Sequence, residues 1–180
     1  LEDKQIFLDG ALTACEAASK ASPDSSDAST WLARVYTLVG RASHAVPLLE
    51  RAADSGNSFA AYLLSGLIGN GIADGVEDDP DRSLQLLKQS ADAGFGPAVA
   101  DLAARYETGN GVDTDWVEAV RLYQAASDKG DPHATFKLGS LYQGGNGVDQ
   151  DYAKAMDLFR RAADAGEPLG YDGIGKLYQL

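Results

Sequence analysis

The sequence predicts an all-α protein, a stacked array of antiparallel helix pairs, or α-solenoid, with about ten helices. Three observations predict it. The chain repeats itself at a fixed interval of 36 residues, its apolar residues recur at helical spacing, and glycines and prolines punctuate each interval at matching places. A fixed period of this size is the mark of a helical array, in which each unit buries its apolar face against the next.

The period is plainest in the second half. "YETGNGVDTDWVEAVRLYQAASDKGDP" and "YQGGNGVDQDYAKAMDLFRRAADAGEP" match at Tyr106 and Tyr142, Gly109 and Gly145, Gly111 and Gly147, Val112 and Val148, and Asp115 and Asp151. The matches continue at Ala119 and Ala155, Leu122 and Leu158, and Gly130 and Gly166. An earlier copy sets Gly75, Val76, Asp79, Leu86 and Gly94 one period back, with two extra residues in its "GNGIADGV" turn.

Taken in chain order, Ile6 to Ala18 reads as a first helix with Ile6, Leu8, Leu12 and Cys15 as its apolar residues, and "ASPDSSDAS" from Ala21 to Ser29 reads as a loop. A helix pair follows, with Leu32, Tyr36, Gly40, Ala45, Leu48, Leu49, Ala52 and Gly56 at related positions but a short turn that lacks G-x-G-V. Three full repeats come next, at about 58–95, 96–131 and 132–167, and then 168–180 supplies a first helix only. The expected organisation is one continuous domain, with 1–57 as its N-terminal helix and divergent pair.

Within a repeat, Ala134, Leu138, Leu141 and Tyr142 share one helical face, and Ala155, Leu158, Phe159, Ala162 and Ala163 share another. Gly130-Asp131-Pro132 and Gly166-Glu167-Pro168 mark the boundaries between repeats, because glycine ends a helix in the left-handed conformation and proline suits the first turn of the next.

The glycine cluster between the two helices of a pair resembles a phosphate-binding loop, but no lysine follows it and it recurs with the architecture. Gly109, Gly111, Gly145 and Gly147 are therefore assigned to a tight reversal that needs positive φ. Val112 and Val148 are expected to plug the turn into the core, and Asp79, Asp115 and Asp151 to cap the second helices, with Glu118 completing a capping box after Asp115.

These residues resemble the Sel1-like repeat (SLR), a cousin of the tetratricopeptide repeat. The pattern is written by Ala134, Leu138, Gly139, Leu141, Tyr142, Gly145, Gly147, Val148, Asp151, Ala155, Phe159, Ala162, Ala163 and Gly166. It covers residues 58 to 166 and extends into Gly170, Ile174, Gly175, Leu177 and Tyr178. The divergent pair before it is closer to a tetratricopeptide unit. The resemblance implies a right-handed α-solenoid whose first helices line a concave groove that binds proteins or peptides, in a bacterial adaptor, scaffold or regulatory role in signalling, secretion or envelope assembly. It favours the periplasm slightly over the cytoplasm.

Charge narrows the partners. With 27 acidic and 15 basic side chains the net charge is −12, a field unsuited to nucleic acid or anionic lipid and favourable to basic or apolar partners. No apolar run approaches the ~20 residues a membrane-spanning helix needs, so no membrane insertion is expected. "LEDKQIFLDG" lacks the zones of a signal peptide.

Chemistry-bearing residues are sparse, and the expectation is a protein that is not an enzyme and carries no cofactor or metal. The single cysteine, Cys15, reads as a small core residue, and His44 and His133 stand in different repeats without Cys or acid at ligand spacing. The acidic stretch Asp74, Glu77, Asp78, Asp79 and Asp81 lacks the EF-hand order and reads as a solvated turn with one capping aspartate, or as a docking point for a basic partner. Trp31 is assigned to packing; Trp116 stays open between packing and stacking on a ligand.

The groove candidates are Arg34, Phe59, Tyr62, Glu107, His133, Phe136 and Gln143, placed by register on first-helix positions off the main core spacing. The aromatic members serve either as anchors for a partner or as packing between repeats. An enzyme or small-ligand binder acting on cell-envelope or sugar material is the alternative reading, although the repeated cysteine pairs of the cysteine-rich secreted branch are missing. A structural spacer is the second alternative. The C-terminal half-repeat adds a candidate for self-association through its apolar edge.

Overall fold

Each of the three second helices in the repeats begins on an aspartate. Asp79 Oδ1 accepts from the Arg82 N–H at 3.0 Å, Asp115 from Glu118 at 3.0 Å and Asp151 from Lys154 at 2.9 Å, which satisfies one orphan donor of each first turn. The capping aspartate also closes the turn behind it. Its own N–H reaches back to the end of the first helix, from Asp79 to Ile68 O at 2.7 Å, from Asp115 to Tyr106 O at 2.9 Å and from Asp151 to Tyr142 O at 2.9 Å. That bond displaces the expected capping box. Glu118 turns instead to Arg121, with Oε1 and Oε2 accepting at 2.6 and 2.8 Å, and this contact holds its carboxyl below the usual carboxylate range.

The computed structural model describes residues 2–69 and 75–179, with side chains from residue 8 onward. The Ile6 side chain, turn residues 70–74 with Asp74, and Leu180 lie outside them. Among the described residues there are ten helices and no strand, as the all-α expectation requires. They form two compact units.

The first unit, Leu1–Phe95, holds α1 (Glu2–Ala21), α2 (Ser26–Leu38), α3 (Ala42–Asp54), α4 (Ser58–Ile68) and α5 (Pro80–Asp92), each packed on the next in sequence. Two N-terminal boundaries differ from expectation. α1 runs to Ala21, and α2 begins at Ser26 because the Ser25 hydroxyl accepts from the Ala28 N–H at 3.2 Å and caps it there. The loop shrinks accordingly. Cys15 is half-buried in α1 rather than in the core. The core of this unit is built on Ala45, Leu49, Ala52, Ala60, Ala61 and Leu64, with alanines letting α3 and α4 approach closely and Val76 packed against the edge. Each fully buried leucine stabilises by roughly 1.5–3 kcal/mol.

The second unit, Gly96–Leu180, holds α6 (Gly96–Thr108), α7 (Trp116–Asp128), α8 (Pro132–Gly144), α9 (Tyr152–Asp164) and α10 (Leu169–Leu177). Consecutive helices again pack as antiparallel neighbours, and α10 lies against both α9 and α8. The paired turn glycines take the left-handed conformation the sequence calls for, with φ of +75° and +73° at Gly109 and Gly111 and +71° and +72° at Gly145 and Gly147. Val112 and Val148 are half-buried beside them. At the repeat boundary Asp131 caps α8 through the Ala134 N–H at 2.9 Å, and Pro132 opens that helix.

Candidate interaction site

In the first unit the candidates converge with two aromatic residues that spacing alone did not nominate. Trp31 on α2 lies 5.8 Å from Phe59 on α4, Phe59 lies 5.6 Å from Phe95, and Tyr62 lies 5.2 Å from the same Phe95 ring. The result is a row of four rings. The Arg34 guanidinium sits over Trp31 at 5.3 Å and over Phe59 at 5.8 Å, within reach of cation–π attraction to both. Trp31 is 52% exposed, so its assignment to packing is corrected: helical spacing gave it a face but α2 leaves that face to solvent. Phe95, just past the end of α5, follows no helical period and carried no signal of its own.

Two details fix the floor of this row. Asn57 caps α4 through the Ala60 N–H at 2.9 Å, and its Nδ2 donates to Asp27 Oδ1 at 2.9 Å, tying the start of α2 to the start of α4. Gly66, two turns along α4 from Phe59, is exposed, with nothing within 4 Å of the place a Cβ would occupy.

The candidates of the second unit are engaged in packing and polar bonds of their own. Glu107 is committed inside the repeat, because its carboxylate accepts from the buried Tyr123 hydroxyl at 2.6 Å and pairs with Lys137 Nζ at 3.3 Å. Burial, and then the Glu107 carboxylate, push the Tyr123 hydroxyl far above its ordinary value. Phe136 stacks on fully buried Phe159 at 5.5 Å. His133 is exposed, with Nδ1 3.0 Å from Glu167 Oε2, while Glu167 Oε1 accepts from the Leu169 N–H at 3.2 Å at the start of α10. Gln143 is half-buried, and its carbonyl accepts from Gln150 Nε2 at 2.9 Å. Trp116 is 37% exposed and its backbone lies against Gly147 in the turn after α8.

The Tyr123 contact makes a prediction with a definite sign. A folded-state value raised above the unfolded one, near 10, adds stability that is complete below pH 10 and lost as pH climbs further. Tyr123→Phe should cost about 1–3 kcal/mol at neutral pH for the lost bond to a carboxylate and should flatten the alkaline limb of a stability–pH curve. Urea melts at neutral and alkaline pH check both; an alkaline limb as steep as in the wild type would remove Tyr123 from this role.

Among the described residues, no three His, Cys, Asp or Glu side chains gather closely enough to hold a metal ion, and no helix is long and apolar enough to cross a membrane. A cleft of about 340 Å³ beside the α3–α4 core is lined by Glu50, Glu77, Asp78, Asp79 and Arg82, of which Arg82 bonds Glu50 at 2.9 Å. Among the described residues that line it there is no histidine, and Ser43 is its one hydroxyl.

Such a fold, all-helical and built from repeated antiparallel pairs with aspartate-capped turns, defines a repeat protein. The Sel1 repeat family model matches residues 58–95, 96–131 and 132–167, and the chain belongs to that family. Sel1 repeats generally serve as protein-interaction modules. Among solved structures, the chain is similar to c5321, a protective antigen of uropathogenic Escherichia coli with an SLR fold, at 27% identity and a TM-score of 0.83 over 93% of this chain and 36% of that one. It is also similar to a Sel1 repeat protein from Oxalobacter formigenes, at 27% identity and a TM-score of 0.80 over 92% of this chain and 48% of that one. This chain therefore spans less than half the length of either. Helicobacter pylori cysteine rich protein B shares the fold at 20% identity and a TM-score of 0.55, over 69% of this chain and 92% of that one. No curated protein sequence matches significantly.

Proposed function

We propose that the chain is a non-catalytic adaptor or scaffold, and that the ring row on α2 and α4 of its first unit is the surface that takes a protein partner. The observation that carries this reading is Trp31, a large ring half open to water, flanked by Phe59 and topped by an arginine. Tryptophan, tyrosine and arginine dominate the energetics of protein interfaces because they combine large apolar area with directional polar contact. A bacterial envelope setting is part of the proposal, supported by the antigenic character of the similar Escherichia coli protein.

The test uses substitutions that leave the core alone. Trp31→Ala combined with Arg34→Ala removes two exposed side chains and should leave the helical signal and melting temperature close to wild type. Affinity purification from the native organism should then retain a partner on the wild type and lose it, by tenfold or more, on the variant. Equal retention on both would move the interaction surface elsewhere on the chain.

A further inference from the structure

The chain has four asparagines, Asn57, Asn70, Asn110 and Asn146, and the last three each precede a glycine. Asparagine before glycine is chemically labile, because no side chain on the glycine shields its amide nitrogen from the neighbouring carboxamide carbon. Asn70 and Gly71 lie outside the described residues. Asn57, followed by Ser58, is held at both ends of its carboxamide, with Oδ1 accepting from the Ala60 N–H and Nδ2 donating to Asp27, each at 2.9 Å. Asn110 and Asn146 remain, and both stand in the same local sequence, "GNGVD" at 109–113 and at 145–149. A difference in their reactivity must therefore come from the fold.

The two turns share a backbone and differ in what surrounds it. Both glycines are left-handed, with φ of +73° at Gly111 and +72° at Gly147, and neither N–H has a hydrogen-bond acceptor among the described residues. Each nitrogen is thus free to lose its proton to solvent and attack. Gly111 is exposed and a Cβ there would meet only the Arg105 tip, at 3.6 Å, whereas one at Gly147 would overlap the Trp116 carbonyl. The first peptide unit has room to swing, and the second is seated. The carboxamides differ as well. That of Asn146 lies over Gly144, in the space a side chain there would fill, with Nδ2 2.9 Å from the place of its Cβ. One period earlier that position is Thr108, whose own side chain occupies the space and donates to Ala104 O at 2.8 Å.

We infer that Asn110 is a site of spontaneous covalent modification in the folded protein, and that Asn146, identical in local sequence, is protected by its seat. The deprotonated Gly111 nitrogen attacks Asn110 Cγ, the Cγ–Nδ2 bond breaks, and ammonia leaves with a proton from water, closing a succinimide ring. Water then adds to one of the two ring carbonyls next to the nitrogen. Cleavage at the side-chain carbonyl gives aspartate, and cleavage at the main-chain carbonyl gives isoaspartate. Either product adds a carboxylate to a turn that already holds Asp113 and Asp115. Isoaspartate also carries the main chain through one extra methylene between Gly109 and Gly111, the two left-handed residues that set the reversal from α6 into α7.

The intact protein, held for weeks in mildly alkaline buffer and sampled by tryptic mass mapping, tests this. Cleavage after Arg105 and Arg121 and after Lys137 and Lys154 places the two sites in separate peptides, 106–121 and 138–154. Peptide 106–121 should gain about 1 Da. It should do so roughly tenfold faster than 138–154, because the seated turn reacts only after a local opening. Synthetic peptides of the same two segments should react at matching rates. Aged 106–121 should also accept a methyl group from S-adenosylmethionine in the presence of an isoaspartate-specific carboxyl methyltransferase, as a product of direct hydrolysis to aspartate would not. Gly144→Thr, whose side chain would stand where the Asn146 carboxamide lies, should speed reaction at Asn146 several-fold. Equal rates for the two sites in the folded protein, or the same tenfold difference between the synthetic peptides, would overturn the inference. Absence of methyl acceptance would overturn the succinimide route, and an unchanged Asn146 rate in Gly144→Thr would overturn the carboxamide seat as a restraint.

Discussion

Gly147→Ala will destabilise the second unit by roughly 1–3 kcal/mol more than Gly111→Ala, although the two glycines hold the same place in successive repeats. Their backbone conformations are the same within a degree, φ of +72° and +73°, so the strain of forcing an alanine into the left-handed region, about 1–2 kcal/mol, is common to both. The loss of glycine's freedom in the unfolded chain is common too. What differs is the space. A Cβ at Gly111 meets only the far end of the Arg105 side chain, at 3.6 Å, whereas at Gly147 it overlaps the backbone carbonyl of Trp116 and comes within 2.8 Å of Trp116 Cβ. Backbone at the start of α7 cannot swing aside as an arginine tip can, so the turn after α8 must lift off. Overpacking of this kind adds roughly 1–3 kcal/mol or more. Urea denaturation of the two variants, with the wild type beside them, reads the difference directly. Equal midpoints would mean that the turn does not rest on α7.

That contact shows what spacing in a sequence can and cannot convey. The helices, the turn glycines and the capping aspartates were legible because each is a local demand of the backbone: a 3.6-residue period, a positive φ, an orphan N–H three residues after an acceptor. The bond from each capping aspartate's own N–H back to the preceding helix was not legible, since any residue carries that donor. Nor was the seat of Gly147 on Trp116, which depends on how one repeat lies on the last.

The candidate site divides along the same line. Register placed Arg34, Phe59 and Tyr62 on one surface, and in the first unit they do share it with Trp31 and Phe95. Register also offered Glu107, yet this carboxylate is held by Tyr123 and Lys137. The signal for that commitment was present in the repeat itself: the position occupied by Phe159 in one copy is Tyr123 in the copy before it, and the position of Gln143 is Glu107. A hydroxyl added to a core ring demands an acceptor, and the exchange of Gln for Glu one period apart supplies it.

Phe159 is where that comparison leads to the second large effect. Phe159→Ala should cost about 3–5 kcal/mol, the loss expected for emptying the site of a fully buried ring. The ring is enclosed by glycines: Cβ atoms built on Gly139 of α8 and on Gly173 of α10 would stand 2.8 and 2.7 Å from it, and Phe136 stacks on it at 5.5 Å. Two helices therefore touch a single side chain of α9 through their backbones, so neither can collapse into the cavity by a rotamer change. α10 will loosen first, because its main packing in this unit is on α9, with a smaller contact to α8. Phe159→Tyr makes a sharper companion. It preserves the ring, but its hydroxyl lacks the carboxylate that Glu107 provides to Tyr123, so a loss of about 1–3 kcal/mol is expected for the unpaired group. Adding Gln143→Glu should recover part of that loss by restoring the acceptor one period on. Hydrogen exchange across α8–α10 together with urea melts will resolve the series; a Phe159→Ala variant with near-native protection in α10 would show that the half-repeat is held by something other than this ring.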